Sequence, residues 1–107
     1  MDYDIFSLQG FQRSYLKKLA HRRKPVVMLG QHGLSPEVLK AADQALNSHE
    51  LIKIKFQDYK AERRPISEDL ARQLEAQFVN LIGNILTIYR QNREPDQRII
   101  RLPQNRS

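Results

Sequence analysis

The sequence has no cysteine, which excludes disulfides, thiolate metal sites, cysteine nucleophiles and thiol redox chemistry, and makes a reducing compartment, the cytoplasm, the expectation. No stretch of about 18 apolar residues occurs, so no membrane-spanning helix is expected. The first residues carry Asp2 and Asp4 where an export signal would carry lysines. Internal repeats and low-complexity tracts are missing. Three histidines, His21, His32 and His49, lack the spacing of helical zinc ligands, so neither a metal nor another cofactor is expected. A length of 107 residues leaves room for one domain with one modest core.

What the chain does have is positive charge. Eighteen Lys and Arg face twelve Asp and Glu, a net charge of +6. Arg13, Lys17, Lys18, Arg22, Arg23 and Lys24 follow one another without an intervening acid. Such a run destabilises itself unless an anionic partner neutralises it, whereas a helix built for stability alternates signs.

Apolar spacing gives the architecture. Phe11, Tyr15, Leu16, Leu19 and Ala20 mark an amphipathic first helix that Lys24-Pro25 stops. Val26 to Leu29 reads as a short buried strand. Ser35-Pro36-Glu37 opens a second helix with a capping serine, proline at the first helical position and an acid in the first turn. Its apolar stripe runs from Val38 to Leu46, and Asn47 to Glu50 breaks the pattern. Leu51 to Phe56 alternates with period two, placing Ile52, Ile54 and Phe56 on one face and Lys53 and Lys55 on the other. Gln57 to Pro65 is a polar connection. Ser67-Glu68-Asp69 starts a third helix with the stripe Ile66, Leu70, Leu74 and Phe78. Val79–Ile82 and Ile85–Tyr89 flank Gly83-Asn84, which suits a type II′ hairpin. Arg90 to Arg98 is a charged linker, and Ile99 to Pro103 a candidate edge strand. The expected fold is α/β and two-layer: a mixed four-stranded sheet with three helices in the order α-β-α-β-α-β-β. Residues 1–7 are expected as a flexible lead, 8–103 as the domain and 104–107 as a flexible tail.

Gly30-Gln31-His32-Gly33 lies between a strand and a helix N-terminus, where backbone N–H groups and the helix dipole suit a phosphate. Two glycines at this spacing also make an ordinary tight turn. The dinucleotide fingerprint and the mononucleotide loop both fail, since neither a third glycine nor Gly-Lys-Ser/Thr follows. Ser35 reads as a cap and not a nucleophile, and no catalytic residue is assigned. Tyr89 and Arg90 are candidates for stacking on a base and meeting a phosphate, the alternative being that Tyr89 packs beside the core.

Leu16-Lys17-Lys18-Leu19-Ala20-His21, Lys24 to Gly30, Gly33-Leu34, His49 to Lys55 and Leu86 to Arg90 together resemble the CRM domain, the chloroplast RNA splicing and ribosome maturation family, and the single-domain length resembles its bacterial YhbY-type members. The resemblance implies an RNA-binding module whose Gly30–Gly33 loop is similar to the loop with which KH domains hold a nucleic-acid backbone; a non-enzymatic, cytoplasmic monomer is the expectation. It also implies ribosomal RNA in precursors of the large subunit as partner. Candidate RNA contacts are Gly30, Gln31, His32 and Gly33 with Lys17, Lys18, Arg22, Arg23 and Lys24, followed by Lys53, Lys55, Tyr89 and Arg90. The chain departs from the family pattern twice. Many relatives carry a lysine in the loop where Gln31-His32 stands, and a glycine commonly ends the third helix where this chain has Glu75-Ala76-Gln77-Phe78. The alternative reading is a protein-interaction module whose basic surface meets an acidic protein on the ribosome. An enzyme acting on a phosphorylated small molecule is the third class, and it lacks a candidate acid, base or metal site.

Overall fold

In the computed structural model, which describes residues 3–58 and 61–105, the chain runs α1 (Gly10–Ala20), β1 (Val27–Leu29), α2 (Pro36–His49), β2 (Leu51–Phe56), α3 (Arg63–Gln73), β3 (Gln77–Ile82) and β4 (Ile85–Tyr89), with a 3-10 turn at Pro95–Gln97. The strands form one sheet in the order β1-β2-β4-β3. β1 pairs parallel with β2, and the other two pairings are antiparallel. This is the expected α/β fold and element order. The layering is fuller than two layers. Ile52, Ile54, Phe56, Leu86 and Ile88 face a core shared with Ala42 and Leu46 of α2 and Leu70 of α3. On the opposite face Leu51, Val79 and Tyr89 pack against Leu16 and Ala20 of α1 and against Ile100.

Several boundaries differ from the sequence reading, each for a local reason. α1 ends at Ala20, short of Lys24: the Arg23 amide donates to the Ala20 carbonyl at 2.9 Å in the turn that follows, and Arg23 Nη1 donates to the carbonyl of Leu51 at 2.6 Å. The strand expected to be buried is an edge strand with alternate exposure: Val27 and Leu29 are enclosed, whereas Val26 and Met28 are about half exposed, at 53% and 48%. α2 begins as expected, with Ser35 Oγ accepting from the Val38 amide at 3.2 Å, but runs through Asn47 to His49. α3 starts at Arg63, with Pro65 in its first turn, where its missing N–H costs nothing. Ser67 is therefore a buried interior residue and not the start. Phe78 belongs to β3 instead of extending the helical stripe. The hairpin has positive φ at Gly83 and not at Asn84, consistent with type II′.

The termini are held more closely than expected. Ile5 is 1% exposed and its carbonyl accepts from the Phe78 amide at 2.8 Å. Gln77, buried in β3, accepts from the amides of Ser7 and Leu8 and donates to Tyr3 Oη and the Asp4 carbonyl. Residues 3–7 are thus docked and not a free lead. Ile99 to Pro103 forms no strand; it lies along α1, where Gln12 Nε2 donates to the Pro103 carbonyl at 3.0 Å. Met1, Asp2, Tyr59, Lys60, Arg106 and Ser107 lie outside the described residues.

Glu50 and Glu75 both end helices in the left-handed region, at φ 62° and 51°. Glu75 completes a tight helix end in which its amide donates to the Arg72 carbonyl at 3.2 Å and that of Ala76 to the Ala71 carbonyl at 2.8 Å. Glycine is the residue this position favours. Glu50 has a different justification. Its carboxylate is fully enclosed and accepts from the amides of Asn92 at 2.6 Å, Ile99 at 2.8 Å and Ile100 at 2.8 Å. Burial works against its ionisation, yet these N–H donors, aided by the charge of Arg98, outweigh it and hold the carboxyl below its ordinary value.

Two stability predictions follow from these helix ends. Glu75→Gly should stabilise by about 1 kcal/mol, since it relieves the left-handed strain and gives up only an exposed ion pair with Arg93; thermal unfolding checks this. Glu50→Gln should cost about 2–3 kcal/mol because the Asn92 amide then faces a donor. Glu50's folded pKa is depressed, so its contribution is complete above the ordinary glutamate value, near about pH 4.3. It is lost as pH falls through the lower folded value. Denaturant titrations between neutral and acid pH should show a smaller acid-dependent loss for Glu50→Gln than for the parent.

Candidate nucleic-acid interface

Gly30 to Gly33 closes a tight turn, the Gly33 amide donating to the Gly30 carbonyl at 3.0 Å. Gly33 is the glycine this turn requires, with φ 61°. Gly30 is not in the left-handed region, and a Cβ there would meet Gln57 Oε1 at 3.4 Å. Gln31 and His32 are exposed at the tip. The set of amides available to an anion is narrower than the sequence suggests, because the Gly33, Ser35 and Val38 amides already donate to Gly30, Gly33 and Ser35.

The register of the sheet defines what lies beside this loop. On the α1 side, Met28 pairs with Lys55, Lys55 with Ile85 and Ile85 with Ile82, forming one row across the sheet at the loop end. Strand spacing makes that row about 14 Å long. Behind it, the Val26 amide donates to the Lys53 carbonyl, Lys53 pairs with Thr87 and Thr87 with Asn80. α1 covers only the far part of this face. Its Lys17 and His21 wall a groove of about 360 Å³ with Lys53, Asn80, Ile82, Ile85 and Thr87.

The structure therefore brings Lys17, Lys53 and Lys55 together on one face, with Lys55 beside Met28, two residues before Gly30. Lys18 lines a separate cavity beside Pro103 and Gln104, so it does not share the groove. Arg22 and Lys24 are exposed in the connection after α1, which makes the expected basic helix a short helix followed by a basic turn. Arg23 is committed to the carbonyls of Leu51 and His49, at 2.6 and 3.4 Å.

Tyr89 and Arg90 do not join them. Tyr89 pairs with Leu51 at the start of β2, whereas the loop adjoins the Leu29–Phe56 pair at its end, five residue steps or about 16 Å away. Tyr89 is 3% exposed and cannot offer its ring to a base. Burial, with the Glu50 carboxylate adding to it and Arg98 opposing, pushes its hydroxyl up to about 12. Arg90 donates to Asp43 Oδ1 and the Leu74 carbonyl at 2.9 Å, to the Asp43 carbonyl at 3.1 Å and to Asn47 Oδ1 at 3.0 Å. Its guanidinium is a staple between α2, α3 and β4. Sequence spacing did not flag Met28, Ile82 and Ile85. Val26 to Leu29 is uniformly apolar, so only the sheet register shows that Val26 and Met28 face opposite to Val27 and Leu29.

These features define a small α/β module that presents a glycine turn, a helix N-terminus and three lysines at one end of a partly bare sheet. The CRS1/YhbY (CRM) domain model matches residues 8–90, and the chain belongs to that family. It is 43% identical over 89 residues to an RNA-binding protein of Haemophilus influenzae, covering 82% of this chain and 90% of that one. It is also 31% identical over 97 residues to a probable RNA-binding protein, YqeI, of Bacillus subtilis, covering 90% and 99% of the two chains. The solution structure of a hypothetical Staphylococcus aureus protein, SAV1595, proposed to bind RNA, superposes with a TM-score of 0.75 at 32% identity, over 90% of this chain and 99% of that one.

The buried hydroxyl of Tyr89 has no hydrogen-bond partner among the described residues. Tyr89→Phe should therefore leave stability unchanged or raise it by up to about 1 kcal/mol, with RNA affinity unaltered. Arg90→Ala should lose about 2–3 kcal/mol of stability. Unfolding curves and RNA titrations on the same preparations check both; weakened binding by folded Tyr89→Phe would return that residue to the interface.

Proposed function

We infer that this protein binds RNA without catalysing a reaction on it, and that its RNA is ribosomal, in precursors of the large subunit. The single observation carrying the RNA reading is the shared location of the Gly30–Gly33 turn, the N-terminus of α2, and Lys17, Lys53 and Lys55 on one end of the sheet. Backbone amides and lysines are sequence-blind partners for phosphates. Arg22 and Lys24 extend the positive field beyond the groove. The RNA-binding relatives support the reading. The ribosomal assignment rests on the CRM family resemblance, and the cytoplasm as working compartment on the absence of cysteine.

The decisive experiment pairs affinity with stability. Changing Gln31 and His32 together to Asp keeps Gly33 and should alter stability by no more than about 1 kcal/mol. It should weaken RNA binding at least about tenfold, because carboxylates at the tip repel phosphates. Affinity of the parent should fall with salt by roughly 0.7–0.9 log units per log unit for each phosphate contacted. A folded double-Asp variant with parental affinity would reduce the loop to a turn. In cells, the protein should sediment with immature large subunits and be depleted from translating ribosomes; equal abundance in both would remove the ribosomal assignment.

A further inference from the structure

The loop-end row of the sheet has an unusual composition for a surface left largely open by the described residues. Met28 and Ile82 are 48% and 69% exposed, and Val26 behind them is 53% exposed. Lys55 stands between Met28 and Ile85 in the row, and Lys53 in the next. None of the residues in the two rows is acidic, and within the second row Thr87 is buried at 2% exposure, so the open part runs from Val26 and Met28 along Lys55 to Ile82. Isolated exposed aliphatic side chains need no explanation, but a contiguous patch interleaved with cations marks a binding surface.

Resting on the RNA-binding reading above, we propose that this bare face is a platform for unpaired nucleotides, with Met28, Ile85 and Ile82 lying against base faces while Lys53 and Lys55 take the phosphates of the same strand. Its chemistry selects that occupant. Single-stranded RNA offers apolar base faces and phosphates alternately along one chain, which matches aliphatic groups alternating with lysines. A duplex offers phosphates but keeps its base faces stacked inside, which would leave Met28 and Ile82 in water. A second copy would bring Lys53 and Lys55 against a like-charged face. The thioether of Met28 is suited to an aromatic face of variable shape, and it stands two residues before Gly30, so a strand held at the loop can continue across the row.

The two methionines of the chain are Met1 and Met28, so selective methyl labelling gives a direct test on the intact protein. An oligouridylate of about ten nucleotides, titrated while anisotropy reports binding, should move the Met28 methyl resonance and give it NOE contacts to the uracil H5 and H6 protons; Met28→Leu identifies that resonance. An RNA duplex should bind with the Met28 methyl nearly unmoved. Met28→Ser should weaken single-strand binding by about five- to tenfold at an unchanged salt slope, and Lys53→Gln with Lys55→Gln should lower that slope by roughly 1–2. If oligouridylate binds and the methyl stays still, or if the duplex shifts it equally, the platform is overturned while RNA binding stands. A shift that depends on protein concentration without RNA overturns it in favour of a second copy. Absence of binding to either RNA overturns the RNA-binding reading itself. The methyl measurement uses the parent chain, so it decides the matter even if Met28→Ser fails to fold.

Discussion

Glu50 sits where the end of α2, the start of β2 and the C-terminal segment meet, and its enclosed carboxylate is satisfied by the amides of Asn92, Ile99 and Ile100. An isolated buried charge would be prohibitive, so the chain must bring these donors to it, and in doing so it returns residues 92–100 across the sheet. The backbone carbonyl of Glu50 accepts from the Arg90 amide at 2.8 Å, and the Arg90 side chain then ties α2 to the end of α3 through Asp43, Asn47 and Leu74. Ile100, delivered by this return, packs on α1 and Tyr89. One carboxylate thereby determines how both faces of the sheet are closed at that end.

The two ends of the sheet consequently have opposite characters. At the Glu50 end, the enclosed carboxylate is paired with backbone amides, and arginines serve as intramolecular clamps. At the loop end, cations stand beside the exposed apolar side chains of Met28 and Ile82. The hairpin belongs to the loop end as well: the Phe56 amide donates to the Asn84 carbonyl at 2.8 Å, and Asn84 Nδ2 returns a bond to the Phe56 carbonyl at 3.3 Å. Those bonds fix Ile82 and Ile85 relative to the last residues of β2. The bare row is therefore backed by a rigid ladder, even though its outer surface is open.

Much of this was legible in the sequence because it is local. Period-two alternation gave β2, the capping serine and Pro36 gave the start of α2, and Gly83-Asn84 gave the hairpin. The misreadings come from interactions between distant residues. Nothing near Ala20 signals a helix end, and the turn beyond it carries an Arg23 contact to Leu51, 28 positions on, that sequence spacing does not show. The end of α3 was obscured because a glutamate occupies the left-handed position where a glycine would have announced it. Arginine was the least legible residue type of all: Arg23 and Arg90 carry the same charge as Lys53 and Lys55, but only tertiary structure shows which cations are consumed internally. Tyr89 was misassigned for the same reason, as its burial depends on α1 and Ile100.

The lysines of β2 also govern how the sheet assembles. A slip of one residue in the pairing of β2 would turn Ile52, Ile54 and Phe56 outward and drive Lys53 and Lys55 into the apolar layer beneath α2 and α3. Two ammonium groups in that layer have no acid to meet them, so the slipped pairing is strongly penalised. A bare face made wholly of aliphatic residues would bind apolar partners well but would leave the two sides of β2 nearly interchangeable. The cations that face solvent thus give the strand an inside and an outside, so a surface suited to a polyanion also protects the chain from mispairing as it folds.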